Sequence, residues 1–222
     1  ANCAVSMTTL NTIVAKQLKD FKVEVDTLME TKDLKKDEAI FNVLREYIKQ
    51  TKAILFEGDG YSDAWEKEAK KRGLSNHKTT PEALKAKVSK KAIALFKEMG
   101  VMNHVEVEAR YEIELEEYMK KIQIEGRVLG DIASNHVVPT AIKYQNVLIE
   151  NVRGLKDIFG KDFEKIAKEQ IGMIKEISEH IEGINTKVEA MTEERKKANA
   201  LTNTEKMAAA YCDKVKPYFE EI

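Results

Sequence analysis

The fold of this chain is built around the segment YEIELEEYMKKIQIEGRVLGDIASNHVVPTAIKYQ, residues 111–145. Large residues recur in it at steps of three and four, the spacing that lines one face of an α-helix. They are Tyr111, Leu115, Tyr118, Ile122, Leu129 and Ile132. The pattern predicts one very long helix from His104 to Arg153. About 50 residues at roughly 1.5 Å each would extend on the order of 75 Å, so we expect an elongated molecule.

Pro139 is the one obstacle inside this predicted helix. Proline donates no backbone N–H, and its ring crowds the carbonyl four residues earlier, here that of Asn135. The sequence therefore predicts a kink at this point.

Two helices are predicted in the N-terminal part of the chain, before residue 57. The apolar stripe of the first is Leu10, Val14, Leu18, Phe21, Val25 and Leu28, and that of the second is Ile40, Leu44, Ile48 and Leu55. Between them lies the polar turn TKDLKKD, in which Asp33 or Asp37 is expected to cap the second helix. The short turn predicts an antiparallel hairpin.

Residues 57–100 are the least regular part of the chain and predict an excursion of short helices between longer ones. Gly58 and Gly60 would permit positive φ in a tight turn, and Ser62 or Asp63 would cap a short helix that carries Trp65. Further start and stop signals are Gly73, Thr80 with Pro81, Ser89 and Gly100.

Beyond Gly160 the spacing predicts two more helices. The first has a seam with alternating steps of three and four, typical of packing along another long helix. Its members are Ile174, Ile177, Ile181, Ile184, Val188 and Met191. Thr202 with Glu205 predicts a capping box for the last helix, which Pro217 is expected to bend. The apolar positions of that helix are Met207, Tyr211, Val215 and Phe219.

Composition favours an all-α fold. The 222 residues are 43% apolar and include only three prolines and ten glycines. A sheet of many strands would need more of these turn-forming residues. We therefore expect a single α-helical domain over residues 1–222, an elongated bundle of long antiparallel helices.

Charge, hydropathy and cysteine content indicate which classes of partner and which cellular compartment are favoured. The 37 basic and 38 acidic residues are interleaved, so no basic face predicts nucleic-acid binding. No apolar run reaches the 18 or more residues of a membrane span. Cys3 and Cys212 have no CxxC spacing, which favours reduced thiols in a soluble cytoplasmic protein.

Candidate metal sites in the sequence are weak. Glu57, Asp59 and Asp63 resemble a calcium loop, but the fifth position is Tyr61 and the sixth is Ser62, where an EF-hand needs a ligand and a glycine. No glycine-rich phosphate loop, HExxH motif or paired Glu-x-x-His motif is present. His104 with Glu108 and Glu176 with His180 are i,i+4 pairs, interpreted as surface charge pairs.

The central stripe holds the remaining candidate residues. His136, with Asp131 and Ser134 nearby, lacks the geometry of a catalytic triad and is interpreted as a hydrogen-bonded core histidine. Glu125 is expected to pair with a cation across the bundle. Gly126 and Gly130 are expected to mark close helix approach. We assign no catalytic, cofactor-binding or metal-binding residue.

Four segments together resemble one family, the C-terminal region of type III glutamine synthetases. They are MTTLNTIVAKQL at 7–18, FEGDGYSDAWEKEAKKRGLSNHKTTPEALKA at 56–86, RYEIELEEYMKKIQIEG at 110–126 and VVPTAIKYQ at 137–145. The segment around Gly60, Tyr61 and Trp65 is the most specific of them. Ser75 departs from an expected proline, and Glu114 and Glu117 make the tyrosine-rich helix more acidic.

The resemblance implies a parent enzyme that joins ammonia to glutamate with ATP, through γ-glutamyl phosphate. It implies divalent metals, Mg²⁺ or Mn²⁺, that hold carboxylates and phosphates. In that family the metal, ATP and glutamate sites lie in an N-terminal β-grasp domain and a catalytic barrel, so no catalytic residue is carried over to this chain. The family's ring assemblies imply contacts with the parent's own catalytic domain and with further copies.

A stand-alone helical adaptor that uses the 174–191 seam as its partner surface is the alternative function. The sequence begins at Ala1 with its first methionine at Met7, from which we expect a cut or processed fragment. A fragment should leave the stripe from Leu10 to Leu18 exposed or covered by a second copy, whereas an adaptor should bury it. We also expect Tyr61 and Trp65 to dock on another part of the enzyme.

Overall fold

The computed structural model describes residues 3–222 and is all-α, as predicted, with no strand in that range. The helices are α1 (Ala4–Lys32), α2 (Lys36–Thr51), α3 (Asp63–Lys71), α4 (Thr80–Lys85), α5 (Lys90–Glu98), α6 (His104–Ile132), α7 (Val138–Phe159), α8 (Phe163–Ile166), α9 (Lys168–Asn199), α10 (Thr204–Ala210) and α11 (Tyr218–Glu221). Within residues 3–222, every helix is too short or too polar to span a bilayer.

The chain divides into two compact units, Ala1–Tyr111 and Glu112–Ile222. The single domain expected over residues 1–222 stays a prediction, and its first two residues lie outside the described part.

The first unit begins with the predicted hairpin of α1 and α2. Its core consists of Val25, Ala39 and Val43, flanked by partly buried Phe21, Leu28, Leu34, Ile40 and Tyr47. The Phe21 and Tyr47 rings lie 6.1 Å apart between centroids, and the Tyr47 hydroxyl donates to Glu24 at 2.9 Å. Burial of these side chains holds the two helices together.

The predicted cap of α2 is wrong. Lys35 is its N-cap and makes no side-chain capping bond. Asp33 instead ends α1 in the left-handed conformation at φ 50°, which short polar side chains tolerate. Asp37 lies inside the first turn of α2, where a carboxylate interacts favourably with the helix dipole.

The predicted stripes of the hairpin are only half right. Phe21, Val25 and Leu28 face the core, but Leu44, Ile48 and Leu55 are exposed. The α2 face turned to α1 instead carries Ala39 and Val43. The small side chain of Ala39 at that face lets the two backbones approach closely, and the larger Ile40 and Tyr47 pack beside it, partly buried.

Capping residues fix the helices of the excursion. The hydroxyl of Ser62 accepts from Trp65 N at 3.3 Å, and that of Ser89 accepts from Ala92 N at 3.2 Å, as the sequence predicts. Gly73 and Gly100 end their helices at φ 68° and 67°, values that favour glycine.

α6 begins with a reciprocal capping box that the sequence analysis missed. Asn103 Oδ1 accepts from Glu106 N at 3.0 Å, and Glu106 Oε2 accepts from Asn103 N at 2.7 Å. The Asn-x-x-Glu spacing was the available signal.

The second unit is organised on α9. Its predicted seam is buried or half-buried throughout, and α9 packs along α7 and the C-terminal helices. Gln145 of α7 fixes their register, since its Nε2 donates to Ile174 O at 2.8 Å and to Ser178 Oγ at 2.7 Å. The largest fully buried side chains of the unit are Leu115, Met191, Tyr211 and Val215.

Both late prolines follow a π-helical turn. Ala133–Val137 precedes Pro139, and Tyr211–Val215 precedes Pro217. In each turn a backbone N–H reaches back five residues, from Val138 to Ala133 O and from Lys216 to Tyr211 O. The wider turn accommodates a proline that cannot donate to the usual carbonyl, so the chain stays helical through both positions.

The last helix begins differently from the prediction. Asn203, rather than Thr202, is the N-cap of α10, and its side chain accepts from Lys206 N at 2.9 Å. Amide oxygens are strong capping acceptors. The predicted apolar positions Tyr211 and Val215 are buried.

Candidate functional site

Arg72 organises the loop of residues 52–62. Its Nη1 donates to Ala53 O at 3.0 Å and to Leu55 O at 2.7 Å, and its Nε donates to Glu68 Oε1 at 2.6 Å. The guanidinium also lies over the Phe56 ring at 5.9 Å. A single side chain therefore ties the end of the preceding helical turn to α3.

Phe56 is the apolar centre of the same loop. Its ring lies 4.7 Å from that of Trp65 between centroids. A Cβ on Gly58 would come within 2.6 Å of the Phe56 ring, so a larger residue there would displace that ring. Neither Gly58 nor Gly60 is among the described residues with positive φ, so the loop does not use the positive φ that these glycines would permit.

Tyr61 projects from the tip of this loop and is 99% exposed. Below it, Asp59 Oδ1 accepts from Tyr61 N at 2.9 Å, and Ser62 Oγ donates to Asp59 O at 2.8 Å. Trp65, by contrast, is half-buried against Phe56. The arrangement presents one aromatic side chain on a braced backbone, which suits a contact with another surface.

A second candidate surface is the N-terminal half of α1. Met7, Leu10, Val14 and Leu18, here called the α1 face, are between 56% and 63% exposed. The opposite side of the helix is used within the unit, since Thr12 is buried and Lys16 lies 3.3 Å from Glu98 of α5. The α1 face is thus an apolar row that has no cover within the described unit.

The candidate metal ligands do not converge. Within residues 3–222, no three His, Cys, Asp or Glu side chains are grouped as a metal would require. His104 lies 3.0 Å from Glu108, so that predicted surface pair forms. Glu176 and His180 are both exposed on α9, and they are not within ion-pair distance of each other in the described part.

The interpretation of His136 as a core residue is wrong. Its side chain is exposed, and so is that of Ile132. The π turn at Ala133–Val137 adds one residue and moves His136 off the face that the sequence periodicity places in the core. Ser134 is also exposed, and Asp131 accepts from the Asn135 amide at 2.7 Å.

Gly126 and Gly130 mark a close helix approach, as predicted. A Cβ on Gly126 would lie 3.3 Å from the Phe219 ring, and one on Gly130 would lie 3.5 Å from Val188 Cγ1. Glu125 is exposed and makes no ion pair within the described residues, so the predicted pairing across the bundle is wrong.

Tyr118 carries a buried hydroxyl that the sequence analysis did not single out. The oxygen has no hydrogen-bond partner among the described residues. Burial raises the pKa of this phenol, and the neighbouring Cys212 thiol adds to the shift. Only tertiary packing brings these two residues together, so spacing along the chain gave no signal.

We expect Tyr118→Phe to preserve or raise the unfolding free energy at neutral pH. We also expect the variant to lose less of that free energy than the parent when the pH becomes alkaline. A buried unpaired hydroxyl costs about 1–3 kcal/mol, and phenylalanine lacks it. Because the folded state raises the phenol's pKa, the unfolded chain loses this proton first, and unfolding free energy falls as pH rises above the ordinary value of 10.0. Urea unfolding at pH 8 and pH 11 measures both effects.

The matched control is Tyr61→Phe, which removes a hydroxyl from an exposed side chain. We expect it to leave both unfolding free energies unchanged. A Tyr118→Phe protein that loses as much stability between the two pH values as the parent would contradict the assignment.

Comparison with known proteins gives one consistent family. The family described as the glutamine synthetase C-terminal domain matches residues 39–156, a range that includes the whole Arg72 loop. A glutamine synthetase from Bacteroides fragilis is 45% identical over 223 residues, which is 100% of this chain and 30% of that protein. A type-3 glutamine synthetase from Dictyostelium discoideum is 35% identical over 82% of this chain and 24% of its own length.

A glutamine synthetase from Butyrivibrio fibrisolvens is 29% identical over 83% of this chain and 26% of its own length. The chain thus spans at most 30% of the curated relatives it matches.

Proposed function

The chain belongs to the glutamine synthetase C-terminal domain family, and from that premise we propose that it is a structural and assembly domain of a type III glutamine synthetase. The proposed parent makes glutamine from glutamate and ammonia with ATP, through γ-glutamyl phosphate, and uses Mg²⁺ or Mn²⁺ to hold the phosphates. The chain itself supplies no reacting group. Its proposed partners are the catalytic domain of its own parent chain and further copies, in the cytoplasm.

The exposed α1 face is the observation that carries this proposal. Leu10, Val14 and Leu18 are each more than half exposed, and burying a side chain of this size is worth about 1.5–3 kcal/mol. A complete adaptor would bury such a row within its own fold. At least two thirds of the length of each relative lies outside the match, which leaves ample chain to cover it.

The alternative function, a helical adaptor, would need the α9 seam to be free for a partner. The α9 seam from Ile174 to Met191 is buried or half-buried within the second unit. A seam that already packs on its own chain is not available to a partner helix. The assembly role therefore has the better support.

The Arg72 loop supports the same role. Tyr61 is 99% exposed on a braced loop, and tyrosine is enriched where interfaces gain most of their affinity. We propose that Tyr61 docks on another part of the enzyme, while Trp65 holds the loop in shape.

We expect the double variant Leu10→Asp, Leu18→Asp to disrupt the full-length enzyme but not the isolated chain. In the full-length enzyme the two carboxylates would be desolvated under the catalytic domain, which costs several kcal/mol. The assembled fraction, measured by sedimentation velocity, should fall at least tenfold. The rate of glutamine formation should fall by at least the same factor. The isolated 222-residue chain should keep its circular dichroism and unfolding midpoint, since both positions are already in water.

The matched control is Thr8→Asp, Ala15→Asp, at two exposed positions of α1 outside this row. It introduces the same charge in the same helix and should leave assembly and activity within about twofold. Normal assembly and activity in the Leu10, Leu18 variant would rule out the proposed cover.

A further inference from the structure

A second apolar row runs along α6 and α7, in the second unit. Its members, here called the outer stripe, are Val128, Ile132, Val137, Tyr144 and Val147. All five are between 45% and 64% exposed. Neighbouring positions of the same helices, Val138 and Leu148, are buried, so the outer stripe is a separate face and not an edge of the core.

The composition of this segment departs from that of the chain. About a third of the chain is charged, 34%, yet residues 128–147 contain only Asp131 and Lys143 as formal charges. A long exposed face with so little charge is the signature of a surface that is covered in the assembled protein.

The π turn aligns the outer stripe. From Ile132 to Val137 the step is five residues, which would move an α-helical side chain well off the row. Because Ala133–Val137 is a π-helical turn with one extra residue, that step returns to the same side. The turn thus joins the α6 and α7 halves into one face, with a shallow depression at its middle lined by His136, Val137, Thr140, Ala141 and Tyr144.

The outer stripe is complementary to itself in the antiparallel direction. A two-fold axis between Val137 and Val138 places Val128 opposite the partner's Val147. The same axis brings Asp131 of one chain to within about one residue step, roughly 1.5 Å along the helix, of the partner's Lys143. The only two formal charges of the segment are therefore of opposite sign and nearly equidistant from its centre.

Both charges also lie on one flank of the stripe. With the extra residue of the π turn, Asp131 and Lys143 are about 20° apart around the helix. Two-fold rotation keeps that flank on the same side of the pair, so the unlike charges meet. Lys143 makes no ion pair among residues 3–222, and Asp131 accepts only from the Asn135 amide.

We propose that the outer stripe is a self-pairing surface on which α6 and α7 of two copies pack antiparallel about a two-fold axis. The inference rests on the proposed assembly role and names the surface and the register that serve it. The apolar row supplies the buried core of the contact, and two Asp131–Lys143 pairs at its flank select the antiparallel register.

Cysteine cross-linking tests the register. In a chain carrying Cys3→Ser and Cys212→Ala, Val137→Cys lies near the axis and should form a covalent dimer under mild oxidation. Val128→Cys alone should not, because its twin would lie about 28 Å away, whereas Val128→Cys with Val147→Cys should cross-link. The control is Ile113→Cys, which is exposed in the same unit but off the stripe.

Charge exchange tests the same contact without cysteines. Asp131→Lys or Lys143→Asp alone should raise the dimer Kd about five- to tenfold, because like charges then face each other, and the double exchange should restore it. Sedimentation velocity of the 222-residue chain and of the full-length enzyme measures this. Unfolding midpoints confirm that each variant folds.

The outcomes separate this inference from the assembly role. Cross-links from position 137 to a different segment of the parent enzyme, cross-linking in a parallel register, or the absence of any cross-link in both proteins would overturn self-pairing. If the Leu10, Leu18 variant still fails to assemble in that case, the assembly role stands without it. Intact self-pairing together with a harmless Leu10, Leu18 variant would reject the assembly proposal instead.

Discussion

Replacing Tyr211 by alanine is expected to cost the second unit about 3–5 kcal/mol of unfolding free energy, the range for truncating a buried aromatic side chain. Tyr211 is 1% exposed and lies where the second π turn begins. Its hydroxyl donates to Asn199 Oδ1 at 2.6 Å, at the end of α9. The truncation removes both the packing and the bond that fixes the C-terminal helices to α9.

Urea unfolding followed by circular dichroism measures this loss. The matched variant Tyr211→Phe keeps the ring and removes only the hydrogen bond, so it should cost about 1 kcal/mol. Similar losses for the two variants would show that the ring contributes little, which would contradict the position of Tyr211 in the core.

Replacing Arg72 by methionine is expected to release the loop of residues 52–62 from α3. Methionine keeps much of the apolar stem but leaves Ala53 O and Leu55 O without their donor. Bonds from a charged donor are worth about 1.5–3 kcal/mol each. A loss of about 2–3 kcal/mol in local stability corresponds to about 30- to 150-fold faster amide exchange in the loop.

Hydrogen exchange measured on individual peptides tests this effect, and two further variants serve as controls. Arg72→Lys keeps the charge but not the forked geometry, so it should recover only part of the protection. Tyr61→Ala should leave exchange unchanged, because the side chain is fully exposed, while weakening assembly of the full-length enzyme. Unchanged exchange in Arg72→Met would show that Phe56 and Trp65 hold the loop without it.

Local sequence patterns predicted the elements of this protein well. Helical spacing identified α1, α2, α6 and α9, and capping chemistry identified Ser62 and Ser89, because both depend on residues within a few positions of each other. The family was recognisable from the segment around Tyr61 and Trp65 for the same reason: that signal is linear.

Residue environments were harder to predict where two faces of a helix were both apolar. In α2, the predicted stripe positions Leu44 and Ile48 are exposed, whereas the smaller Ala39 and Val43 are buried against α1. Periodicity shows that a helix has an apolar side. When a helix has two such sides, periodicity does not show which of them packs against a neighbouring helix. The stripe from Leu10 to Leu18 was likewise correct as a pattern and lies outside the core.

Helix propensity, side-chain spacing and capping are local properties, so the sequence alone predicts that the chain is helical, where most helices begin and end, and which family it belongs to. Which apolar rows are buried depends on tertiary packing. The π turn at Ala133–Val137 rotated His136 out of the core, and packing brought Tyr118 to Cys212 and Arg72 to Leu55 O. Those outcomes depend on how helices distant in sequence meet, and local periodicity carries no information about that.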